Sequence, residues 1–324
     1  MTKLAANKRF DITLVGEANI DLLLYGLPED MPTERELLAD RMAMLLGGSP
    51  AITAHNLAAL GCRVGFITAS AGDEFAKICL RDLESAGVDT SRAIEVGEDA
   101  KTGFTVLLQH ERHRRTLTYP GATHSIRFSD LDLDYLASAR HFHLSSYFLQ
   151  KNLRDDVPRL FAELKQAGLT ISLDTNDDPS GQWDESIYDA LTYVDILMPN
   201  ESEACHLAHE QQFDLAVRKL SDMVPILVIK RGAEGALAFT ESRTYSAPPC
   251  AVTPIDAVGA GDSFNAGFLH AWLKGEPIPQ CLAMGNLAGA YSTTAAGGIA
   301  AFQDRVAMQQ FFAAGISASI SPRR

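Results

Sequence analysis

One short run of the sequence combines an acidic side chain with three small residues at a predicted helix start. Gly259, Ala260 and Gly261 lie where a loop enters a helix, and Asp262 lies in its first turn. Small residues let the backbone approach a ligand closely, and the free N–H groups of a helix start bind anions. The helix dipole also favours an ionised Asp262, as a general base requires. This suits deprotonation of a hydroxyl while charge develops on a transferring phosphoryl group, although a plain capped helix start is the alternative.

The elements that would position this run alternate between strands and helices, which is typical of a largely parallel α/β sheet. Short apolar runs predict strands at residues 10–15, 64–68, 169–174, 194–198 and 226–230, then a hairpin at 235–239 and 244–247. Periodicity and capping residues predict helices at residues 49–60, 73–86, 160–167, 201–208, 262–273 and 280–293. We expect Ser49 to cap the first helix, with Pro50 at its first helical position. We expect the last two helices to be buried on more than one side.

Two segments interrupt this alternation, at residues 20–46 and 102–118. Each is predicted to be an antiparallel β excursion from the α/β body. Inserted strands often form a lid over a site, although a plain surface hairpin fits the pattern equally well. The sequence therefore predicts a single domain over residues 1–324 with a small inserted lid. An uncovered strand edge in that lid would suit a homodimer.

Composition disfavours several classes of function. The 324 residues carry a net charge of −13, which disfavours a nucleic-acid or anionic-membrane partner. No apolar run approaches the ~20 residues of a membrane helix, and the first residues do not predict a signal peptide.

Five widely spaced cysteines indicate reduced thiols in a cytoplasmic protein. The pairs His141/His143 and His206/His209, expected on a strand face and a helix face, lack a recognisable metal-ligand spacing.

Several motifs taken together resemble one known family. The run DAVGAGDSFNAGFL, at residues 256–269, closely resembles the C-terminal signature of the ribokinase-like (PfkB) carbohydrate kinases. Matches also occur, in the family's order, at residues 16–21, 47–51, 200–203 and 230–235. The resemblance spans residues 11–298. It implies an α/β fold with a ribokinase-like central, mostly parallel sheet flanked by helices and a small inserted β-sheet lid.

The resemblance implies roles on the side of the phosphoryl donor. Asp262 would be the base, and the amides of the three small residues before it would hold charge on the transferred group. The residues that would contact ATP or Mg²⁺ are Asn200, Glu203, Lys230, Gly232, Gly235 and Asn286. Glu203 would act on Mg²⁺ through water, but Asn200 and Glu203 also fit a helix capping box. Asn286 would line the adenine pocket or be an ordinary helix residue.

On the side of the acceptor the resemblance is partial. Asn19 and Asp21 would bind sugar hydroxyls, with a turn residue as the alternative for Asp21. Gly47 and Gly48 would let the sugar lie against the backbone. Ile52 occupies a position that is Asn in the family pattern. It either leaves an acceptor hydroxyl unpaired or packs in the core.

The resemblance implies an ATP-dependent sugar kinase that phosphorylates a hydroxymethyl group of a ribose- or fructose-like sugar. A nucleoside kinase of the same family and a catalytically silent sugar- or nucleotide-binding regulatory protein stay open. A phosphorylated sugar is less expected from the acidic charge balance. Arg112, Arg114 and Arg115 could nevertheless supply positive charge from an inward-folded lid. Asp256 matches a position at which many relatives bind a monovalent cation such as K⁺.

Overall fold

Strands and helices alternate through most of the chain. The computed structural model describes residues 8–97, 99–110 and 113–320, with side chains up to residue 315. The strands are β1 (Ile12–Val15), β2 (Asn19–Tyr25), β3 (Arg41–Gly47), β4 (Val64–Ile67), β5 (Ala69–Ser70), β6 (Val88–Asp89), β7 (Ile94–Glu95), β8 (Phe104–Gln109), β9 (Arg114–Tyr119), β10 (His141–Ser145), β11 (Thr170–Asp174), β12 (Ile196–Leu197), β13 (Ile226–Lys230), β14 (Ala236–Thr240) and β15 (Thr244–Ala247). The helices are α1 (Ser49–Ala59), α2 (Glu74–Ala86), α3 (Leu133–Ala137), α4 (Val157–Gln166), α5 (Ile187–Leu191), α6 (Glu201–Leu207), α7 (Phe213–Ser221), α8 (Ala260–Leu273), α9 (Ile278–Ser292), α10 (Ala300–Gln303) and α11 (Arg305–Ile320).

The central sheet has nine strands in the order β15-β14-β13-β12-β11-β10-β1-β4-β6. Every pair from β6 to β13 is parallel, and the β13-β14-β15 edge is antiparallel. All residues of β1 and β10 are buried, because helices cover both faces of such a sheet. The predicted central, mostly parallel sheet flanked by helices is confirmed.

The helices α8 and α9 pack closely against each other. Residues 262–271 of α8 are all buried, so the expectation of burial on more than one side was correct for this helix. Glycine makes the close approach feasible, because a Cβ added at Gly267 would lie 2.5 Å from the Met284 carbonyl oxygen. Among the described helices, none combines the length and apolarity that crossing a bilayer requires.

The start of α1 differs from its prediction. Gly48, not Ser49, is the N-cap, and no side chain caps this helix. Gly48 has a φ of 89°, and a Cβ added there would lie 2.8 Å from the Glu17 carbonyl oxygen. The chain therefore needs glycine at this turn. Ser49 becomes the first helical residue and Pro50 the second, which leaves the Ser49 hydroxyl available for a contact elsewhere.

The two interrupting segments form a second sheet in the order β3-β2-β8-β9. Each segment is an antiparallel hairpin, as predicted, but the hairpins are joined by the parallel pair β2–β8, which was not foreseen. Both strands start at adjacent points of the body, where the Ile20 N–H donates to the Gly103 carbonyl at 3.0 Å. The inner face of the second sheet carries Asp21, Thr105 and Arg114, which point toward the body.

The histidine pairs have structural surroundings. His141 and His143 share a face of β10, and a ring nitrogen of each lies 2.7 Å from the Ser172 hydroxyl. Burial lowers the pKa of both rings to about 3, so both are neutral. His206 and His209 do not share a helix face, contrary to the prediction, because α6 ends at Leu207 and His209 has a left-handed φ of 52°.

Candidate active site

A cavity of about 780 Å³ opens at the carboxyl ends of β11, β12 and β13, the edge at which parallel sheets bind ligands. It brings together Asn176 after β11, Asn200 before α6 and Lys230 at the end of β13. The N-terminus of α8 points into the same space. The predicted site residues that line it are Gly259, Ala260, Gly261, Asp262, Asn200, Glu203, Lys230, Gly232, Gly235 and Asn286.

Asp262 lies in the first turn of α8 with 8% of its surface exposed. The Ser49 hydroxyl donates a hydrogen bond to its Oδ1. Burial, together with the charge of Asp174, raises the pKa of Asp262 to about 6. Hydrogen bonds from Ser49 and Asn176 limit this increase. A carboxyl group with this pKa is mostly ionised at neutral pH and remains basic enough to accept a proton.

Ser49 and Asn176 orient this carboxylate, and sequence reasoning missed both in that role. Asn176 Oδ1 accepts a hydrogen bond from the Ser146 N–H at 2.9 Å and lies 3.2 Å from the Ser49 hydroxyl. Asn176 and Ser146 have left-handed φ values of 52° and 54°, a backbone region that residues other than glycine adopt uncommonly, although Asn adopts it more readily than most. The available signal was Ser49 directly after two glycines, which we interpreted as a helix cap.

The loop that enters α8 leaves an open anion site. Gly259 has a φ of 72°, and a Cβ added there would overlap the Gly298 Cα. A Cβ added at Gly261 would have one atom outside the neighbouring backbone within 4 Å, Lys230 Nζ, at a distance of 3.6 Å. The Ala260 N–H donates to the Ala257 carbonyl at 3.3 Å. Within the described residues no carbonyl accepts from the N–H groups of Gly261 and Asp262, which are therefore available to an anion.

Lys230 brings a positive charge to the anion site. Its side chain is mostly buried, with 11% exposed, and forms an ion pair with Asp174, whose side chain is fully buried. Burial lowers the pKa of Lys230, but the charges of Asp174 and Glu203 outweigh this effect and hold the pKa above its usual value. The ammonium group therefore remains charged beside Gly261.

Asn200 and Glu203 form a reciprocal capping box at the start of α6. The Glu203 N–H donates to Asn200 Oδ1 at 2.9 Å, and the Asn200 N–H donates to Glu203 Oε2 at 2.8 Å. Burial raises the pKa of Glu203 to about 7, while Lys230 opposes the shift. Both residues also line the cavity, so helix capping and ligand contact are compatible here.

The far end of the cavity lies between the β14–β15 hairpin and α9. Asn286 donates from Nδ2 to the carbonyl oxygens of Ala247 at 3.1 Å and Pro248 at 2.8 Å. It therefore fixes the loop that walls the cavity. Gly235, with a φ of 89°, lies where an added Cβ would overlap the Ala247 carbonyl oxygen. Gly232 has a φ of 52° in the turn after β13.

The predicted acceptor residues, Asn19, Asp21, Gly47 and Gly48, are not among the residues that line this cavity. They lie in β2, at the end of β3 and at the start of α1. A Cβ added at Gly47 would overlap the Asp21 carboxylate, so these two positions are in direct contact. Burial raises the pKa of Asp21 to about 7, and the charge of Asp262 adds to the increase. Asn19 Oδ1 accepts from the Thr123 hydroxyl at 3.0 Å, which commits part of this side chain to the fold.

Ile52 packs beneath the anion site. Its side chain is 3% exposed, and its Cδ1 would lie 2.7 Å from a Cβ added at Gly298. Of the two interpretations of Ile52, packing in the core is the one that fits this position.

Asp256 connects the body to the second sheet. Its Oδ1 accepts from the Val258 N–H at 3.0 Å and from Gln109 Nε2 at 3.3 Å. Its Oδ2 accepts from the Tyr25 hydroxyl and the Gly297 N–H, both at 2.9 Å. Both carboxylate oxygens are thus already occupied by protein donors.

A base, an anion site and a nearby ammonium group are what phosphoryl transfer requires, and a family comparison agrees. The model described as pfkB family carbohydrate kinase matches residues 9–305. The chain belongs to the pfkB family of carbohydrate kinases. It is therefore a sugar kinase of that family.

Relatives of this kinase match it over most of their length. An ATP-dependent ribose-1-phosphate kinase of Halopiger xanaduensis is 31% identical over 248 residues, which cover 75% of this chain and 79% of that protein. A 2-dehydro-3-deoxygluconokinase of Bacillus subtilis is 27% identical over 281 residues, which cover 83% of this chain and 87% of that protein. The structure of Arabidopsis thaliana ribokinase complexed with ribose and ATP has a TM-score of 0.79 at 24% identity. The match covers 93% of this chain and 98% of that chain, which shows a shared fold.

In this kinase, Ser49→Ala should raise the pKa of Asp262 by removing a donor to the carboxylate. A hydrogen bond to a charged group contributes about 1.5–3 kcal/mol, so the acidic limb of the kcat profile should move up by about one to two pH units. Activity is then lost at a higher pH than in the wild type, because the base must be ionised. Ser49→Thr, which keeps the hydroxyl, is the matched control. An unchanged limb in the Ala variant would contradict this role.

Proposed function

We propose that this kinase transfers the γ-phosphoryl group of ATP to a hydroxymethyl group of a small sugar of the ribose or fructose type. One observation carries the proposal: Asp262, with a pKa raised to about 6 by burial, lies in the same helical turn as the open anion site at Gly261. A hydroxymethyl group placed there has a base on one side and a phosphoryl group on the other, as in-line transfer requires.

The residues present fit MgATP. A volume of about 780 Å³ suits a ligand of nucleotide size, and the helix start at α8 suits its phosphates. The end beside Asn286, Gly232 and Gly235 would take the base. Asn200 and Glu203 would hold Mg²⁺ through water, which Mg²⁺ gives up reluctantly. When bound, MgATP supplies the phosphoryl group and offsets part of its charge.

The chain's own residues would then perform three tasks. Asp262 accepts the hydroxymethyl proton as the oxygen attacks phosphorus. The N–H groups of Gly261 and Asp262, with Lys230, stabilise the charge that develops on the phosphoryl oxygens. Asp21 and Asn19 orient the acceptor under the second sheet, which acts as a lid over the bound sugar.

A monovalent cation at Asp256 fits less well. Four N–H or O–H groups already donate to this carboxylate, including Tyr25 and Gln109 of the second sheet. A K⁺ ion there would have to displace a donor or rely on other oxygens. We therefore propose a tethering role for Asp256 and include no cation in the reaction.

An assay of ADP release on a panel of sugars, sugar phosphates, sugar acids and nucleosides tests the proposal. We expect the highest kcat/KM for a sugar with a free hydroxymethyl group. A nucleoside as the best acceptor would favour the nucleoside-kinase alternative. Binding without turnover for every acceptor would identify a silent binding protein and refute the proposal.

One observation favours a second candidate, a kinase of anionic sugars. Arg114 lines the cavity from the inner face of the second sheet, and its charge lowers the pKa of Asp21. Lys230 and Arg231, the other cations of the cavity, are paired with carboxylates. Among the described residues none forms an ion pair with Arg114. Two relatives are named for a sugar phosphate and a dehydrodeoxygluconate, which are anionic acceptors.

Arg114→Gln separates the two candidates. If Arg114 binds an anionic group of the acceptor, kcat/KM for such acceptors should fall about tenfold to hundredfold, the contribution of a charge-assisted hydrogen bond. Neutral sugars should be little affected. Arg115→Gln is the control, because Arg115 pairs with Leu108 and lies on the opposite face of the sheet. Equal losses on neutral and anionic acceptors would contradict an acceptor role. Arg112, the third arginine considered, lies outside the described residues.

We also propose that two copies pair through their second sheets. Beside Arg115, the outer face carries four exposed apolar side chains, Met42, Met44, Leu117 and Tyr119, with exposures of 62%, 42%, 58% and 57%. The edge strands β3 and β9 bear these side chains. Light scattering should give a dimer mass that Leu117→Lys reduces to a monomer. Val306→Lys, a change at a 65% exposed position on α11, should have no effect. A monomeric wild type would refute the pairing.

The five cysteines are unpaired, which supports the proposed location in a reducing compartment such as the cytoplasm.

A further inference from the structure

Three metal-ligating side chains meet at one end of the second sheet. Glu29 lies between β2 and β3, His110 follows β8 and His113 precedes β9. One ligand atom of each lies within 4.8 Å of the other two. None of the three lines the catalytic cavity, so the phosphoryl-transfer chemistry does not account for them.

The surroundings of His110 suit a metal ligand. The ring is 8% exposed, and its Nδ1 lies 2.7 Å from the Pro28 carbonyl oxygen. A carbonyl can only accept, so Nδ1 donates its proton to this oxygen and Nε2 is the nitrogen left to bind a metal. Within the described residues that buried Nε2 has no hydrogen-bond partner. Histidines that bind metals commonly donate their other N–H to a backbone carbonyl in this way.

The other two ligands are able to approach an ion. The His113 Nδ1 lies 3.0 Å from Glu29 Oε2, and the two side chains are 49% and 41% exposed. The His110 and His113 rings stack with their centroids 4.9 Å apart. Ligands of a tetrahedral zinc ion, at 2.0–2.1 Å from the metal, lie about 3.3 Å from one another. The three ligand atoms lie within 4.8 Å of one another, so binding would require the half-exposed side chains of His113 and Glu29 to rotate closer to His110.

An ordinary ion pair explains only part of this geometry. It accounts for the contact between His113 and Glu29, but not for the buried and unpartnered Nε2 of His110. A lone pair left without a donor in the interior destabilises the fold, and a bound cation would satisfy it.

We propose that Glu29, His110 and His113 bind a divalent transition-metal ion of the zinc type, with water completing the coordination. Two imidazoles and one carboxylate are a donor set that Zn²⁺ accepts, whereas Mg²⁺ and Ca²⁺ prefer oxygen alone. The ion would connect the loop after β2 to the turn after β8. It would therefore cross-link the two hairpins of the second sheet. This inference does not depend on the proposed acceptor.

Metal titration of the untagged full chain tests the site. After chelator treatment and dialysis, Zn²⁺ is titrated by calorimetry and Co²⁺ by visible absorption, without MgATP. We expect one ion per chain, cobalt bands typical of fewer than six ligands, and a Tm that rises by at least about 2 °C with excess Zn²⁺.

Single substitutions assign the ligands. His113→Gln and Glu29→Gln should each weaken binding at least about tenfold. The matched control is His209→Gln, because His209 also lies beside a carboxylate, 4.0 Å from Glu185, and should bind as the wild type does. His113 is half exposed, so its variant should fold even if a change at His110 does not.

Two results would overturn the proposal. One is the absence of Zn²⁺ or Co²⁺ binding tighter than about 1 mM. The other is equal affinity in the wild type and in the His113→Gln and Glu29→Gln variants.

Discussion

Asp262→Asn should give a folded kinase with almost no turnover. The amide is nearly isosteric with the carboxylate, and its oxygen still accepts the hydrogen bond from Ser49. It cannot accept the acceptor's proton, and loss of a general base lowers kcat by about 10²–10⁴-fold. The KM values for ATP and acceptor should change little. Steady-state kinetics and a thermal melt measure both parts of this expectation.

A pH profile and a control variant make the test of Asp262 specific. The wild-type kcat should fall as the pH drops below about 6, because protonation removes the base whose pKa burial has raised to that value. The residual activity of Asp262→Asn should lack this limb. Asp21→Asn, a change at a similarly buried carboxylate, should raise the acceptor KM more than it lowers kcat. Nearly full turnover of Asp262→Asn at saturating substrate would mean that another group is the base.

Gly261→Val should block phosphoryl transfer without unfolding the chain. A Cβ at this position meets only Lys230 Nζ, at an ordinary contact distance of 3.6 Å. The branched side chain would therefore occupy the space in front of the free amides, where the phosphoryl oxygens must lie. Loss of such an anion site lowers kcat by about 10²-fold or more. Acceptor binding, measured by calorimetry, should fall far less than ATP turnover.

Gly259→Val provides the contrast for this second test. Gly259 has a φ of 72°, and its Cβ would overlap the Gly298 Cα, so the substitution should lower the Tm as well as the activity. Gly261→Val should keep the wild-type Tm within about 2 °C. If both variants melt early and lose ATP and acceptor binding alike, the effect at Gly261 is a folding defect.

The parts of the site that depend on local sequence were predictable. The small residues before Asp262, the capping box of Asn200 and Glu203, and the burial of α8 follow from spacing and residue type alone. Local rules also predicted most strands of the central sheet, because short runs of buried apolar residues between helices are typical of parallel strands. The two-residue edge strand β6 (Val88–Asp89) was missed. The two inserted hairpins were recognised as β structure because they interrupt the alternation of strands and helices.

Contacts between distant parts of the chain were not predictable in this way. Ser49 and Asp262 are 213 residues apart, and only the folded chain shows that the Ser49 hydroxyl turns to the carboxylate. A local rule assigned that hydroxyl to the helix cap, a position that the turn at Gly48 takes instead. The parallel pairing of β2 with β8, and with it the inward direction of Arg114, likewise depends on the placement of two segments some eighty residues apart.

The four hydrogen bonds of Asp256 also bear on how the two substrates affect each other. The same carboxylate fixes the loop that enters α8, through Val258, and two side chains of the second sheet, Tyr25 and Gln109. If the second sheet moved toward a bound sugar, the movement would therefore act on the amides that face the phosphate. Thermodynamic linkage would make such a coupling reciprocal: an acceptor that strengthened ATP binding would itself bind more tightly, by the same factor, in the presence of ATP. If ATP binds weakly until a sugar is bound, its γ-phosphate is seldom held in a reactive geometry in which water could attack it.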